Sequence, residues 1–415
     1  MPASRTGRTG PLVGLRVVDL STVLAGPLCT MLLADLGADV VKVEPRDGDA
    51  TRTWGPPWVG AGHARTAAYY LSVNRNKRSI RLDLGRPAAR EVVRRLLQDA
   101  DVLVENFRVG GLARLGFDDE ALEAINAGLI HLAISGYGPD GPDAARPGYD
   151  FVVQAGSGLM SITGFPDDAG GAPTKVGVAI GDVATGLHGA IGILAALHAR
   201  DEAASAEMTL GRGQRVDVSI LESTLAVLVN QAQNAFATDR PPTRLGNAHP
   251  NIVPYETFET ADGEIALAVG SDRQWRSLCE VLDTPELATD TRFVSNGDRV
   301  EHRADLRPLL ADRLRQRLTA EWLALLDRAG VPAGPVRDIV QAFASPQAVA
   351  RQMTVELEHP VLGPVPQVGL PITLARTPGA IVDAPPLLGE HTTDVLVELG
   401  YDADAIERLR ADAAI

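Results

Sequence analysis

Three strand–helix–strand units in the first 135 residues constrain this chain more than any other feature. Leu15-Arg-Val-Val-Asp-Leu20 reads as a buried strand and residues 22–26 as a turn. Pro27 opens a helix that Gly37 ends, and Asp39-Val-Val-Lys-Val-Glu44 is the next strand. Residues 79–82, 87–98 and 102–105 repeat the pattern, the middle segment being amphipathic. A helix near 118–125 and a strand at 130–134 repeat it again. This alternation predicts an α/β chain with a doubly wound parallel sheet covered by helices on both faces. Ligands of such sheets sit at the carboxyl ends of the strands. Here those ends carry residues 22–26, 44–49, Glu105-Asn106-Phe107 and Ser135-Gly-Tyr-Gly138.

After Arg200 the texture changes. Residues 215–219 read as a strand and 220–238 as one helix, and Arg240-Pro-Pro242 breaks the chain. Strands at 254–258 and 264–269 and helices at 273–282, 303–316 and 319–329 suit a second, smaller α+β domain. Residues 330–335 read as a loop, and a helix at 392–399 follows Pro/Gly-rich connectors. With 415 residues, two domains are the natural expectation.

Between the two textures stands Asp182, in Gly177-Val-Ala-Ile-Gly-Asp-Val-Ala-Thr-Gly-Leu-His-Gly189. A carboxylate just before an apolar helical run has two readings. It can cap the helix, or it can serve as a nucleophile, held ionised by the helix N-terminus and approachable because glycines surround it.

Several function classes fall away. A net charge of −14 argues against nucleic acid as a partner, while leaving room for a small anion at a local cluster such as Asn74-Arg75-Asn76-Lys77-Arg78. No run of about 18 apolar residues is present, so no membrane span is expected. Residues 1–10 read as a loose polar tail without a signal-peptide core. Cys29 and Cys279 lie far apart, form no metal-spaced pair and suit a reducing cytoplasm. There is no phosphate-binding loop of the Gly-x-x-x-x-Gly-Lys type and no dinucleotide fingerprint after the first strand. Gly156-Ser-Gly158 lacks the spacing of a nucleophile elbow.

Taken in order, Ala25-Gly-Pro27, Leu36-Gly-Ala-Asp-Val-Val-Lys-Val-Glu44, Asn74-Arg-Asn-Lys-Arg-Ser79, Val104-Glu-Asn-Phe107, Gly181-Asp182, Gly211-Arg-Gly-Gln214 and Pro386-Leu-Leu-Gly-Glu-His391 resemble the class III CoA-transferases. That family also contains formyl-CoA transferase and α-methylacyl-CoA racemase. The stretches Thr51-Arg-Thr-Trp-Gly-Pro-Pro57, Tyr70-Leu-Ser-Val-Asn-Arg-Asn-Lys77 and Ile252-Val-Pro-Tyr255 are most like its succinyl-CoA:glutarate (dicarboxylate) branch.

The resemblance implies a Rossmann-like CoA-binding domain over 1–205, completed by 385–415, a linker at 206–225, a small domain at 226–330 and a returning linker at 331–384. It implies two such chains interlocked as a homodimer. It implies an enzyme without a resident cofactor or metal that uses a CoA thioester and a small carboxylic acid as substrates. Asp182 matches the catalytic aspartate, passing through an aspartyl anhydride and an aspartyl-CoA thioester. Arg46, Asn74, Arg75, Lys77, Arg78, Asn106, Phe107 and Arg114 are the expected CoA contacts, with Lys77 foremost in its loop. Leu24, Ala25, Arg52, Tyr137 and Tyr149 are expected around the acyl group, Arg52 as partner of a second substrate carboxylate.

Two departures refine the expectation. Leu24 stands where formyl-CoA transferase has a glutamine, which disfavours formate and oxalate. Tyr149 stands where the racemases have a histidine, and a phenol is a poor base at neutral pH. A racemase or epimerase and a catalytically silent CoA-binding homologue are the alternatives to CoA transfer.

Overall fold

The computed structural model describes residues 8–62, 65–205 and 211–415. The tail expected at 1–10 and the linker expected at 206–225 thus fall partly outside the described residues. The chain divides into two compact units: residues 1–157, 177–229 and 346–415 form one, and residues 158–176 and 230–345 the other. The described part of the expected 206–225 linker is corrected: it carries the strand Arg215–Ser219 and the helix Ile220–Ala226 of the first unit.

The first unit is built on six parallel strands: β1 (Arg16–Asp19), β2 (Asp39–Glu44), β3 (Lys77–Arg81), β4 (Val102–Glu105), β5 (Ile130–Ser135) and β6 (Arg215–Ser219). Their order in the sheet is β3-β2-β1-β4-β5-β6. Strand order therefore reverses between β1 and β4, which opens a crevice at their carboxyl ends. Side chains alternate across the sheet. Val17, Val40, Val102 and Val104 enter one core with Cys29 and Leu33 of α1 (Ala25–Asp35) and Ile193 and Leu197 of a long helix, Ile180–Ser205. Val18, Val41, Val43 and Leu103 enter the opposite core with Val92, Val93 and Leu97 of α2 (Pro87–Gln98). That second core is finished from far along the chain, by Val395, Leu396, Ile406 and Leu409. The same late segment ties down the approach to β3: the Asn76 Oδ1 accepts the Val382 and Asp383 amides, each at 2.9 Å, and the Ser79 Oγ accepts the Gly389 amide at 2.9 Å.

The long helix, labelled α5 after α3 (Asp119–Ile125) and α4 (Asp150–Gly156), crosses α1 closely because it carries glycines there. A Cβ at Gly186 would stand 2.7 Å from the Ala25 carbonyl oxygen, and one at Gly189 3.4 Å from the Cys29 Sγ. Within residues 180–202 an 18-residue stretch reaches a mean hydropathy of 1.5, long and apolar enough by length and composition to cross a membrane. One face of α5 is core, while Leu187, Ile191 and Leu194 form an exposed stripe.

The second unit centres on an antiparallel sheet of β7 (Tyr255–Glu259), β8 (Glu264–Ala268) and β9 (Ala333–Pro335), with Trp275, Phe258, Phe293 and Trp322 in its core. Three expectations need correction. Residues 158–176 belong to this unit, because Arg244 donates to the Phe165 carbonyl at 3.1 Å and pairs with Asp167, and the Gly246 amide donates to Gly164 at 3.0 Å. The stretch 331–384 is not simply linker: it supplies β9 here and, to the first unit, a hairpin of β10 (Thr354–His359) and β11 (Gly363–Val368). The helix expected over 220–238 is two, α6 (Ile220–Ala226) and α7 (Val229–Thr238), separated where Val229 adopts φ +40°.

Candidate active site

The crevice between β1 and β4 holds a cavity of about 250 Å³. Its walls are the turn after β1 (Thr22, Val23, Leu24 and Ala25), the residues after β4 (Asn106, Phe107, Arg108 and Val109), the Gly136 end of β5 and the loop Ala144–Tyr149. Asp182 and Ile220 complete it. Asn106 fastens the two sides of the switch point together. Its Oδ1 accepts the Thr22 amide at 2.9 Å, and its Nδ2 donates to the Thr22 carbonyl at 2.8 Å.

Asp182 sits in the first turn of α5, yet it is not the residue that caps the helix. Asp150 does so, its Oδ1 accepting the Gly181 amide at 2.7 Å and the Asp182 amide at 3.3 Å, while Oδ2 accepts from the Gln154 Nε2 at 2.6 Å. Gly181 leaves room for this: a Cβ there would meet Asp150 at 2.9 Å and Thr224 at 2.7 Å. Among the described residues none donates a hydrogen bond to the Asp182 carboxylate. Half-buried beside the Asp150 charge, that carboxyl is pushed up to about 7, burial being the larger cause. This corrects the expectation that the helix N-terminus holds Asp182 ionised: the amides that would do so already serve Asp150.

Two backbone segments cross at Gly136 and Gly148, where a Cβ on Gly136 would lie 2.6 Å from the Gly148 Cα. This close passage sets the chain that leads into Tyr149 and Asp150. Tyr69 also belongs to the neighbourhood. Its phenol is pushed up to about 12, first by burial and then by the charges of Asp182, Asp150 and Asp49, so it stays a hydrogen-bond donor. Its ring meets Trp54 edge-on, with centroids 5.3 Å apart. The cavity wall thus carries one carboxylate and two guanidinium groups, Arg108 and Arg146. A half-buried carboxylate titrating near neutrality is a competent nucleophile toward an activated acyl group.

The family model for CoA-transferase family III matches residues 12–392. The chain belongs to CoA-transferase family III. It is accordingly an enzyme that transfers CoA. It is 45% identical over 405 residues to the succinate–glutarate CoA-transferase of Agrobacterium fabrum, covering 97% of this chain and 98% of that one. It is 40% identical over 410 residues to the human succinyl-CoA:glutarate CoA-transferase, covering 98% and 90%. Among solved structures, a CaiB/BaiF family protein from Brucella suis superposes with a TM-score of 0.83 at 43% identity, covering 94% of this chain and all of that one.

Within this family III chain the expected CoA contacts divide sharply. Asn74, Arg75, Lys77 and Arg78 are buried and committed to the fold. The Lys77 Nζ donates to Asp19 at 3.2 Å, to the Pro27 carbonyl at 2.8 Å and to the Asn74 Oδ1 at 2.9 Å, which uses all three of its protons. Asn74 also donates to the Tyr70 carbonyl. Arg75 closes on Asp35 and the Val368 carbonyl, and Arg78 on Asp39 and Glu398. These residues lead into β3 at its amino end, the wrong end of a parallel sheet for a ligand. Lys77 pairs with Val40, in the row of Val17, two residues short of Asp19. They are corrected here from ligand contacts to structural ties.

Arg52 is corrected in the same way. Its fork is closed on Glu44 at 2.6 and 2.7 Å, it donates to the Pro386 carbonyl at 3.1 Å, and it lies 3.6 Å over the Tyr70 ring. By contrast Arg46, after β2, and Arg108 and Arg114, after β4, are exposed and form no ion pair among the described residues. Leu24, Ala25, Asn106, Phe107 and Tyr149 line the cavity, with Tyr149 63% exposed. Tyr137 is half-buried, with the Arg146 guanidinium 5.2 Å from its ring centre.

Sequence reasoning missed Asp150, Tyr69, Arg108 and Arg146. Asp150 alone had a local signal, standing where a helix begins after Gly148-Tyr149. The others become neighbours of Asp182 only through the tertiary fold.

Proposed function

We propose that this transferase moves CoA from succinyl-CoA to a dicarboxylic acid such as glutarate, with Asp182 as the nucleophile. A carboxylate oxygen of Asp182 attacks the thioester carbonyl, the C–S bond breaks, and CoA leaves as the thiolate with a mixed anhydride behind it. The thiolate attacks the Asp182 carbonyl, releasing succinate and forming the aspartyl-CoA thioester. The acceptor carboxylate attacks that thioester and expels the thiolate, which then attacks the acceptor's acyl carbon and restores the Asp182 carboxylate. Each anhydride conserves the energy of the thioester, so no nucleotide is consumed.

The observation that carries this reading is the Asp182 carboxylate, free of hydrogen bonds from described residues, in a cavity that also holds Arg108 and Arg146. Arg146, exposed and paired with Asp143 through Nη1 alone at 3.0 Å, supports a dicarboxylate, since its other nitrogens suit a second carboxylate. Arg46, Arg108 and Arg114, at the carboxyl ends of β2 and β4, support the binding of CoA phosphates. We further infer a homodimer, interlocked as the family resemblance implies. Exposed apolar groups on α5 (Leu187, Ile191 and Leu194) support association, because such patches mark interfaces. The buried free thiols Cys29 and Cys279 support a cytoplasmic setting.

Mass spectrometry of the protein with succinyl-CoA and a panel of acids tests the reading. Glutaryl-CoA formed by wild type and not by Asp182→Ala is the expected result. No new acyl-CoA from any acid, together with deuterium uptake from heavy water into a 2-methylacyl-CoA, would assign the chain to racemisation instead.

A further inference from the structure

Val23 stands at φ +73°. Glycine enters that region freely, but a β-branched residue is strained there. Strain of this kind persists only where the surroundings over-determine it. The Asp49 carboxylate supplies the determination. Its Oδ2 lies 3.2 Å and its Oδ1 3.4 Å from the Val23 amide nitrogen, which donates to both.

Asp49 is itself fully buried and held from several directions. The Lys42 Nζ lies 3.0 Å from its Oδ2, and its Oδ1 accepts from the Thr51 amide at 2.9 Å and the Thr51 hydroxyl at 2.7 Å. Lys42, also fully buried, donates to the Ser21 carbonyl at 2.8 Å. With Asn106 gripping Thr22, three consecutive residues of one turn are each fastened by a polar side chain. Leu24 and Ala25 follow at once and form the cavity wall. No bond made or broken in CoA transfer involves Asp49 or Lys42, and a turn that needed only to connect β1 to α1 would have no use for a strained valine.

We propose that Asp49, backed by Lys42, is a positioning residue for CoA transfer: it holds Val23 in the left-handed conformation and so fixes the Leu24–Ala25 wall of the cavity that contains Asp182. The proposal rests on Asp182 as the nucleophile. Released from Asp49, Val23 relaxes to negative φ and the next peptide swings with it. The wall then leaves the place where the thioester must meet Asp182, and such misplacement costs rate steeply. Binding of the distant nucleotide end of CoA is spared, so the loss falls on kcat and not on the acyl-CoA KM.

A double-mutant cycle with succinyl-CoA and glutarate tests this. Asp49→Asn keeps an oxygen for Thr51 but turns an NH₂ group toward the Val23 amide and Lys42, two donors it cannot serve. We expect kcat to fall by about tenfold or more, with the acyl-CoA KM within about threefold of wild type. In a Val23→Gly background the left-handed turn carries no strain, and Asp49→Asn then costs less than about threefold. Equal losses in both backgrounds, or a kcat for Asp49→Asn within about twofold of wild type, would overturn the proposal.

If Asp49→Asn does not fold, Val23→Pro decides. It removes the N–H and sets φ near about −65°, while leaving the Asp49, Lys42 and Thr51 contacts in place. Loss of kcat with an unchanged melting temperature supports the proposal, and wild-type kcat overturns it. A wild-type protein that transfers CoA to no acid in the panel would overturn the transfer reading and this proposal together. An active wild type with additive losses overturns the proposal alone.

Discussion

Asp150 and Asp182 share one helix start, and the sharing is unequal: the Asp150 Oδ1 takes the Gly181 amide at 2.7 Å and Asp182's own amide at 3.3 Å, leaving the Asp182 carboxylate unclaimed by any described residue. One acid holds the backbone so that the other is free to react. Because Asp182 titrates at about 7, the nucleophile is protonated below that pH and ionised above it. The rate kcat/KM should therefore climb with pH through 7 and level off near pH ~8, as a profile across pH 5–9 will read. Asp150→Asn keeps an oxygen for the cap and removes the charge, so the acid limb should move to lower pH by up to about one unit.

The same titration carries a stability prediction. A carboxyl whose folded value lies above its ordinary 3.8 binds its proton more tightly in the native state than in the unfolded chain. Stability from this group is therefore present at acid pH and declines as pH rises from about 4 through 7. Asp182→Asn cannot ionise. Relative to wild type it should gain on the order of 2 kcal/mol between about pH 5 and pH 8, measured by urea unfolding at the two pH values, while CoA transfer is lost.

Two classes of cation should separate cleanly. Lys77→Ala leaves Asp19 buried without its partner and should cost about 3–5 kcal/mol of stability. Arg46→Ala and Arg114→Ala touch exposed groups that form no ion pair among the described residues. They should leave the melting temperature within about a degree and raise the acyl-CoA KM several-fold, more so at low salt. Thermal melts beside steady-state kinetics distinguish the two patterns.

Gly136 and Gly148 permit a backbone crossing that alanine cannot enter, since the added Cβ on Gly136 falls 2.6 Å from the Gly148 Cα. The strain must move the chain that leads to Tyr149 and Asp150. Gly136→Ala should lower kcat by about tenfold or more, as a progress curve of acyl-CoA exchange will show.

What the sequence disclosed followed its periodicities. Strands β1 to β5, α1 and α2 were legible from apolar runs and their Pro and Gly punctuation, and the carboxyl-end rule pointed to Asn106, Phe107 and Ala25. What stayed hidden depends on which groups the fold brings together. A cluster as basic as Asn74 to Arg78 reads alike whether it faces a phosphate or is buried against Asp19, Asp35, Asp39 and Glu398. Arg52 likewise gave no sign that Glu44 and Tyr70 would enclose it. The capping carboxylate of α5 lies 30 residues ahead of the helix it caps, beyond the reach of any local pattern. The strain at Val23 is invisible in sequence because valine is the residue one would least expect there.

The return of residues 382–409 to the first unit bears on the order in which a ribosome delivers the molecule. Val92, Val93 and Leu97 emerge early, but Val395, Leu396, Ile406 and Leu409, which share their core, emerge only after all of residues 230–345 have been synthesised. At about 5–20 residues per second, the roughly 300 residues between Leu97 and Val395 take about 15–60 seconds. Throughout that time, one face of the nascent sheet lacks part of its apolar cover, so the growing chain is a natural client for chaperones that shield such surfaces during translation.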